Sequence, residues 1–175
     1  MNNVEYYQVY DQKLNKCDLK IARPNHVPNG YYFGIIDVIT YNKRNQSFLI
    51  TKRSKYKSSM PGYLEVTVGC MQYGEDPLDS AKRELKEETG IDGNFIKHYK
   101  TIVSYHAIAH TFTCVCDIDP DSILLQEGET EAYYWYKEKD FKSIWNSRLM
   151  TPVQKNRIEP NLENIILQIK EMCNE

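Results

Sequence analysis

The amino-acid sequence predicts an α/β fold in which a mixed β-sheet is sandwiched between α-helices. Segments rich in β-branched and aromatic residues stand before and after a strongly marked helix, and two further helical segments follow near the end of the chain. This order favours a sheet with helices packed against it, because each element buries its apolar face against the other. No linker interrupts the 175 residues, so we expect residues 1–175 to form a single domain.

Four strands are expected in the first half of the chain, each bounded by residues typical of turns. Pro, Asn and Gly mark the loop Asn25–Gly30, and Pro61-Gly62 breaks the chain again further on. A polar turn at Asp11–Lys16 and a tight turn at Asn42–Asn45 provide the other boundaries. The expected strands are a short segment holding Tyr6, Val9 and Tyr10, followed by Tyr31–Tyr41, Ser47–Arg53 and Leu64–Val68.

A well-marked helix is predicted between Pro77 and Gly90. Proline suits the first turn of a helix, and glycine is favoured just after its last residue. Either Glu75 or Asp76 can cap the N-terminus. The apolar residues of the segment recur at spacings of three and four, as along the buried face of an amphipathic helix: Leu78, Ala81 and Leu85.

The second half of the chain is expected to add three strands and two helices. Strands at Phe95–Tyr105 and Ile108–Ile118 flank a tight link, and a third is predicted at Tyr133–Tyr136. Helices are predicted at Asp140–Ser147 and Asn161–Cys173, the second with apolar residues along one side.

Composition and charge exclude several classes of protein. The net charge of −2 gives no general attraction for nucleic acid or for an anionic membrane, so neither is expected as a partner. No stretch approaches the 18 apolar residues that a membrane-spanning helix needs, and the first residues lack the apolar region of an export signal. Five widely spread cysteines are most simply interpreted as reduced thiols, which predicts a cytoplasmic protein.

Three glutamates of the predicted helix point to a cation site. Glu84, Glu87 and Glu88 are spaced i, i+3 and i+4, which places their side chains on one face within about 6 Å of one another. Three like charges so close are unfavourable unless something neutralises them, and Mg²⁺ prefers such carboxylate oxygens. Taken alone, an E-x-x-E-E run is more often a solvated surface of a helix.

The residues around these glutamates change that balance. Together with them they form a spaced pattern of Gly69, Glu75, Arg83-Glu84-Leu85, Glu87-Glu88 and Gly90-Ile91. This pattern resembles the signature of the Nudix hydrolases, GX5EX7REUXEEXGU, in which U is aliphatic. The resemblance implies the Nudix fold and cleavage of a diphosphate linkage in a nucleoside diphosphate derivative or related small molecule, with Mg²⁺ as the cofactor or Mn²⁺ in its place.

The same resemblance assigns roles within the signature. It implies that Arg83, with Glu75, forms the ion pairs that orient the acids, and that either Glu84 or Glu87 serves as a general base. The implied ligands of the cation are the carboxylates of Glu84, Glu87 and Glu88 and the backbone carbonyl of Gly69.

One more acid is expected from a loop. Family members often supply a carboxylate from a loop before a Trp-bearing strand, and here an acidic stretch precedes Trp135. Glu129 best matches the position and is the predicted catalytic residue, with Glu127 and Glu131 as alternates. An acidic surface loop is the competing interpretation.

A basic cluster before Pro61-Gly62 is a candidate for binding the substrate. Arg53 and Lys57 suit a polyanion, since Arg can hold phosphate through two hydrogen bonds. The segment Thr51–Gly62 also resembles the isopentenyl-diphosphate isomerase branch of the superfamily, where these two residues bind the diphosphate and His26 matches a metal ligand.

Other positions depart from that branch. Val68 stands where the isomerase has its catalytic cysteine, while Phe33 and Cys70 stand where it has metal-binding histidines. Hydrolysis is therefore preferred. An isomerase-like enzyme and a catalytically silent nucleotide-binding domain remain the alternatives. The signature leaves the substrate open among compounds such as ADP-ribose, dinucleoside polyphosphates, NADH and coenzyme A. The oligomeric state is left open, with a homodimer among the options because many relatives are dimers.

Overall fold

The structure, a computed structural model, describes residues 4–103 and 106–173, with side chains described outside residues 95–103. This part of the chain forms one nine-stranded mixed sheet with four α-helices. The strands are β1 (Tyr6–Tyr10), β2 (Lys16–Ala22), β3 (Tyr32–Asn42), β4 (Ser47–Arg53), β5 (Leu64–Glu65), β6 (Thr67–Cys70), β7 (Asn94–Val103), β8 (Ala107–Cys116) and β9 (Thr130–Tyr136). The helices are α1 (Pro77–Thr89), α2 (Glu138–Trp145), α3 (Pro152–Ile158) and α4 (Leu162–Cys173).

Strand β3 organises the sheet. Along one edge it pairs in parallel with β8, from Phe33 opposite Ala107 to Asn42 opposite Cys116. Its remaining partners, β1, β6 and β4, are antiparallel and follow one another along the strand in that order. Strand β6, which carries Gly69, therefore lies between the β1–β2 hairpin and the start of β4.

Helices cover both faces of the sheet, which confirms the predicted α/β sandwich. Successive residues of a strand point to opposite faces, and in β3 Ile36 and Val38 pack with α1, whereas Ile39 packs with the C-terminal helices. The cluster beside α1 includes Ala81 and Leu85 of the predicted stripe, while Leu78 is 39% exposed. Larger side chains fill the opposite cluster, among them Phe48, Phe141, Trp145, Ile158 and Ile165.

Two elements were absent from the predictions. Strand β2 carries the alternation of a half-exposed strand, with Cys17, Leu19 and Ile21 between charged residues, so the signal was present. Helix α3 has a proline in its first turn, but its seven residues are too short for a helical period to stand out.

The predicted strand Leu64–Val68 is divided in two. The side-chain amide of Gln154 in α3 accepts a hydrogen bond from the backbone N–H of Val66 (2.9 Å) and donates one to the carbonyl of the same residue (3.0 Å). Val66 thus pairs with a side chain instead of a strand. The partner strand changes at this residue, since β5 pairs with β4 and β6 pairs with β3.

The other predicted elements are found with shifts of one to three residues at their ends. Positions 104 and 105 of the predicted strand Phe95–Tyr105 lie outside the described residues. All five cysteines are free. Within the described ranges, no helix combines the length and apolar character needed to cross a membrane.

Candidate active site

A cavity of about 520 Å³ opens where α1, β6, the β1–β2 hairpin and the loop after β4 meet. The fold brings together residues that are far apart in the sequence. Eight of the predicted site residues line this cavity, namely Arg53, Lys57, Gly69, Arg83, Glu84, Glu87, Glu88 and Glu129.

Gly69 lies directly beneath the carboxylate of Glu84. A Cβ atom built on Gly69 would stand 2.0 Å from Cδ of Glu84 and less than 2.5 Å from both of its carboxylate oxygens. A side chain fits at position 69 only if the Glu84 carboxylate moves, so glycine allows α1 to approach β6 this closely.

Arg83 pairs with three residues of the acidic cluster, which consists of Glu75, Glu84, Glu87 and Glu88. Its Nε and Nη2 donate to the two oxygens of Glu75 at 2.6 and 2.9 Å, and Nη2 also donates to the carbonyl of Cys70 at 3.2 Å. Its Nη1 bridges Glu84 at 2.9 Å and Glu87 at 3.1 Å. Burial lowers the pKa of Arg83, but the adjacent carboxylates outweigh burial and raise it overall. The guanidinium thus contacts Glu75, Glu84 and Glu87, and its role in orienting them for the reaction stays a prediction.

Glu75 fastens the loop before α1 to the helix. Besides Arg83, its carboxylate accepts hydrogen bonds from the Ser80 hydroxyl and from the backbone N–H of Gln72 at 2.8 Å. Burial raises the pKa of Glu75, but these donors outweigh burial and hold it below its usual range. Asp76 is the N-cap residue, without a side-chain capping bond, and Gly90 ends the helix at φ +73°.

The three acids of α1 differ in their surroundings. The Glu84 side chain is 13% exposed and that of Glu87 is 47% exposed. Glu88 is buried, and burial together with the negative charge of Glu65 raises its pKa well above the ordinary value. Burial also raises the pKa of Glu84, against the opposing effect of Arg83. The surroundings of Glu84 and Glu88 thus favour neutralisation of their carboxylate charges.

The guanidinium of Arg53 is occupied by groups of the protein. Its Nη1 donates to both oxygens of Glu65 at 2.8 Å, and its Nε and Nη2 donate to the carbonyl of Ser59 at 3.1 and 2.9 Å. Burial raises the pKa of Glu65 to about 7, against the effect of Arg53. Arg53 therefore fixes the loop after β4 in addition to lining the cavity.

Lys57 and Glu129 form an ion pair at the mouth of the cavity. The ammonium group of Lys57 contacts Oε2 of Glu129, and their side chains are 28% and 41% exposed. The two residues come from the loop after β4 and the loop before β9. Glu131, an alternate for the loop acid, instead pairs with Lys52 and does not line the cavity in the described part of the chain.

The donor set fits a hard cation in its chemistry, although the carboxylates are not yet gathered around one point. Within residues 4–103 and 106–173, no three His, Cys, Asp or Glu side chains converge closely enough to hold a metal ion. Arg83 accounts for this, because it draws Glu84 and Glu87 toward itself. The side-chain-free space above Gly69 nevertheless leaves room for carboxylate oxygens beside the backbone of β6.

Several residues of the site were not predicted from the sequence. Glu65 carries a signal, since it is a charge inside a short apolar strand. Arg23, Tyr7 and Glu5 reach the cavity from the β1–β2 hairpin and carry no motif. His26 is not among the described residues that line the cavity, and its ring packs edge-on against His106 at 4.8 Å.

Comparison with known proteins agrees with the fold and the signature. The profile of the NUDIX domain family matches residues 33–157, from β3 to α3. The chain therefore belongs to the NUDIX domain family, and the predicted Nudix resemblance is confirmed.

Two relatives match part of the chain. Nudix hydrolase 10 of Arabidopsis thaliana is 36% identical over 98 residues, which cover 53% of this chain and 35% of that protein. The ADP-ribose pyrophosphatase of Saccharomyces cerevisiae is 27% identical over 92 residues, covering 52% of this chain and 39% of that protein. The chain thus matches little more than a third of either relative. The crystal structure of a Nudix hydrolase from Nitrosomonas europaea has a TM-score of 0.62 at 18% identity, covering 83% of this chain and 78% of that one.

Proposed function

We propose that this chain is a Mg²⁺-dependent hydrolase that cleaves the diphosphate linkage of a nucleoside diphosphate derivative. The observation that carries the proposal is that Glu84, Glu87 and Glu88 line one cavity together with basic side chains and Gly69. Mn²⁺ is the alternative cation. A bound divalent cation supplies charge neutralisation of the diphosphate oxygens and a more acidic water.

The residues of the site have different proposed roles in the reaction. Glu84, Glu87, Glu88 and the Gly69 carbonyl are the proposed cation ligands, and Arg83 positions the first two. A carboxylate of α1, Glu84 or Glu87, or else Glu129 from the loop, accepts the proton of the attacking water. Lys57 binds the diphosphate after exchanging Glu129 for phosphate oxygens.

ADP-ribose is the first substrate to test. It is the substrate named for the yeast relative, whose matched region covers half of this chain. Within a shared fold the loops and flanking strands select the substrate, so this assignment is a proposal drawn from similarity.

An isomerase-like activity has less support. The resemblance to the isomerase branch requires a thiol at position 68, and the cavity there is lined by Val68. Cys70, two residues further along the same face of β6, is also in the cavity wall, and burial raises the pKa of its thiol. A catalytically silent domain would be expected to lack one of the three glutamates, and all three are present.

The decisive experiment is a screen of diphosphate compounds with Mg²⁺ or Mn²⁺. Released phosphate is measured with and without added phosphatase, which separates a phosphate-releasing cut from one that yields two monoesters. Glu88→Gln should lower kcat at least ~100-fold, because a buried ligand carboxylate is lost. Glu171→Gln, the same change at an exposed position of α4, is the matched control and should retain wild-type turnover. Wild-type turnover by Glu88→Gln would refute the metal-ligand assignment.

A further inference from the structure

Four basic side chains line the cavity, and they differ in how firmly the protein itself occupies them. Arg83 makes five hydrogen bonds to protein groups. Arg53 makes four, and its side chain is only 13% exposed. All five N–H donors of Arg83 are in use and Arg53 has one left, so either side chain would have to give up hydrogen bonds to the protein before it could hold a phosphate through paired donors.

Arg23 differs from these two. Its Nη1 donates to Oε2 of Glu5 at 2.6 Å, and the two side chains are 34% and 49% exposed. An ion pair with this much exposure contributes little to stability, so a substrate anion can displace Glu5 at little cost.

The position of Arg23 is set by aromatic side chains. Its guanidinium carbon lies 5.6 Å from the centre of the Tyr7 ring, and Tyr7 packs on Phe33 with ring centres 4.8 Å apart. The backbone N–H of Arg23 also donates to the carbonyl of Glu5 at 2.9 Å. This support holds the guanidinium in place in the wall of the cavity, which lowers the entropy lost on binding.

Arg23 also lies near the acidic cluster. It lines the same cavity as Cys70 and Glu84. It reaches the cavity from the β1–β2 hairpin, whereas Lys57 reaches it from the loop after β4, and β6 lies between these two segments. A diphosphate placed above β6 can therefore be held from both sides.

We infer that Arg23 is a substrate-binding residue that holds phosphate oxygens of the diphosphate, with Glu5 as the internal anion that it releases when substrate binds. This inference rests on the proposed function, because the anion is the diphosphate of that substrate. It assigns to Arg23 the phosphate contact that the sequence assigned to Arg53.

The test uses imidodiphosphate, a diphosphate analogue that resists hydrolysis, with Mg²⁺ and isothermal titration calorimetry. Arg23→Gln should raise the Kd at least 10-fold, whereas Glu5→Gln should lower it about 3-fold or more, because the competing anion is gone. In an Arg23→Gln background, Glu5→Gln should have no effect. Lys20→Gln removes the same charge from the same hairpin, outside this cavity, and should leave the Kd unchanged.

A Kd that rises in Arg23→Gln and falls in Glu5→Gln distinguishes a binding role of Arg23 from a structural one. If the Arg23–Glu5 pair only stabilised the hairpin, both substitutions would weaken binding, and that result would overturn the inference. An unchanged Kd in Arg23→Gln, or no binding by the wild type, would overturn it as well. Arg23→Lys keeps the charge without the paired donors, and serves if Arg23→Gln does not fold. Its Kd should lie between those of the wild type and Arg23→Gln, and a wild-type Kd would contradict the role of the paired donors.

The two proposals fail separately. If imidodiphosphate binding depends on Arg23 but no diphosphate compound is hydrolysed, the anion-binding role of Arg23 stands and the proposed hydrolase activity is wrong. If a diphosphate compound is hydrolysed with the same KM by the wild type and Arg23→Gln, the hydrolase proposal stands and the binding role of Arg23 is wrong. If Arg23 binds the substrate without acting in the chemistry, KM rises and kcat is retained.

Discussion

At the scale of single residues, the contact between Gly69 and Glu84 is the most demanding of the site. A Cβ atom at position 69 would lie 2.0 Å from Cδ of Glu84, which leaves no room for adjustment without moving the carboxylate. We expect Gly69→Ala to lower the free energy of unfolding by about 1–3 kcal/mol through overpacking, and to reduce activity by displacing Glu84.

A double substitution tests the cause of that effect. In a Glu84→Ala background the obstructing carboxylate is absent, so Gly69→Ala should change the free energy of unfolding by less than ~0.5 kcal/mol. Urea denaturation of the four proteins measures this. An equal cost in both backgrounds would place the strain in the backbone of β6 instead.

Glu65 makes stability depend on pH in a predictable direction. Its pKa is raised from 4.5 to about 7, mainly by burial, so the folded protein holds more protons than the unfolded chain between these values. The contribution of Glu65 to the free energy of unfolding therefore falls as pH rises from about 4.5 to about 7.

The matched comparison is Glu65→Gln, which mimics the protonated side chain. Relative to this variant, the wild type should lose at least ~1.4 kcal/mol of stability across that interval, the value of one pKa unit. Denaturation at several pH values in the presence of EDTA measures the difference. A pH-independent difference between the two proteins would show that Glu65 does not titrate in this range.

At the scale of elements, α3 is joined to the centre of the sheet by buried polar groups. Asp37 of β3 is fully buried and accepts hydrogen bonds from Nε of Arg157 at 2.6 Å and from Nε2 of Gln154 at 2.8 Å. The Arg157 side chain is 5% exposed. Since Gln154 also holds the backbone of Val66, this short helix fixes the point at which the chain turns into β6 and toward Gly69.

Removal of one partner of this pair should be costly. Arg157→Met leaves the charge of Asp37 buried and unpaired, so we expect the free energy of unfolding to fall by about 3–5 kcal/mol. Arg44→Met, which breaks the exposed pair with Asp117, is the control and should cost less than ~1 kcal/mol. Chemical denaturation measures the free energy of unfolding of both variants. Similar losses in the two variants would contradict the importance of burial.

The elements also show which signals the sequence carries. Helix α1 was predictable because its proline, its glycine and its apolar stripe are local. Helix α3 was not, because it is held by contacts with Asp37 and Val66 that are distant in the sequence. The division of β5 from β6 was missed for the same reason, since the side chain of Gln154 replaces a strand partner.

At the scale of the whole molecule, the same distinction separates the predicted site residues from those that were missed. The acids of α1, with Arg83 and Gly69, lie within one short segment whose spacing is a signature. Arg53 and Lys57 were recognised by charge and position, but the sequence could not show that Glu65 and Ser59 occupy Arg53. Arg23 enters the cavity through the pairing of β1 and β2, and the alternation in β2 indicates a strand but not the strand with which it pairs.

The β1–β2 hairpin precedes the segment that the family profile matches, whereas the acids of α1 lie within it. With Arg23 as an anion-binding residue, mutation of the hairpin retunes what the cavity accepts and leaves the acid-bearing helix untouched. Under the proposed function, the residues that cleave the linkage then lie in the matched segment, while a residue that contacts the compound lies on the two-stranded hairpin. A library of variants confined to residues 4–23 is accordingly the place to redirect this protein toward new diphosphate compounds.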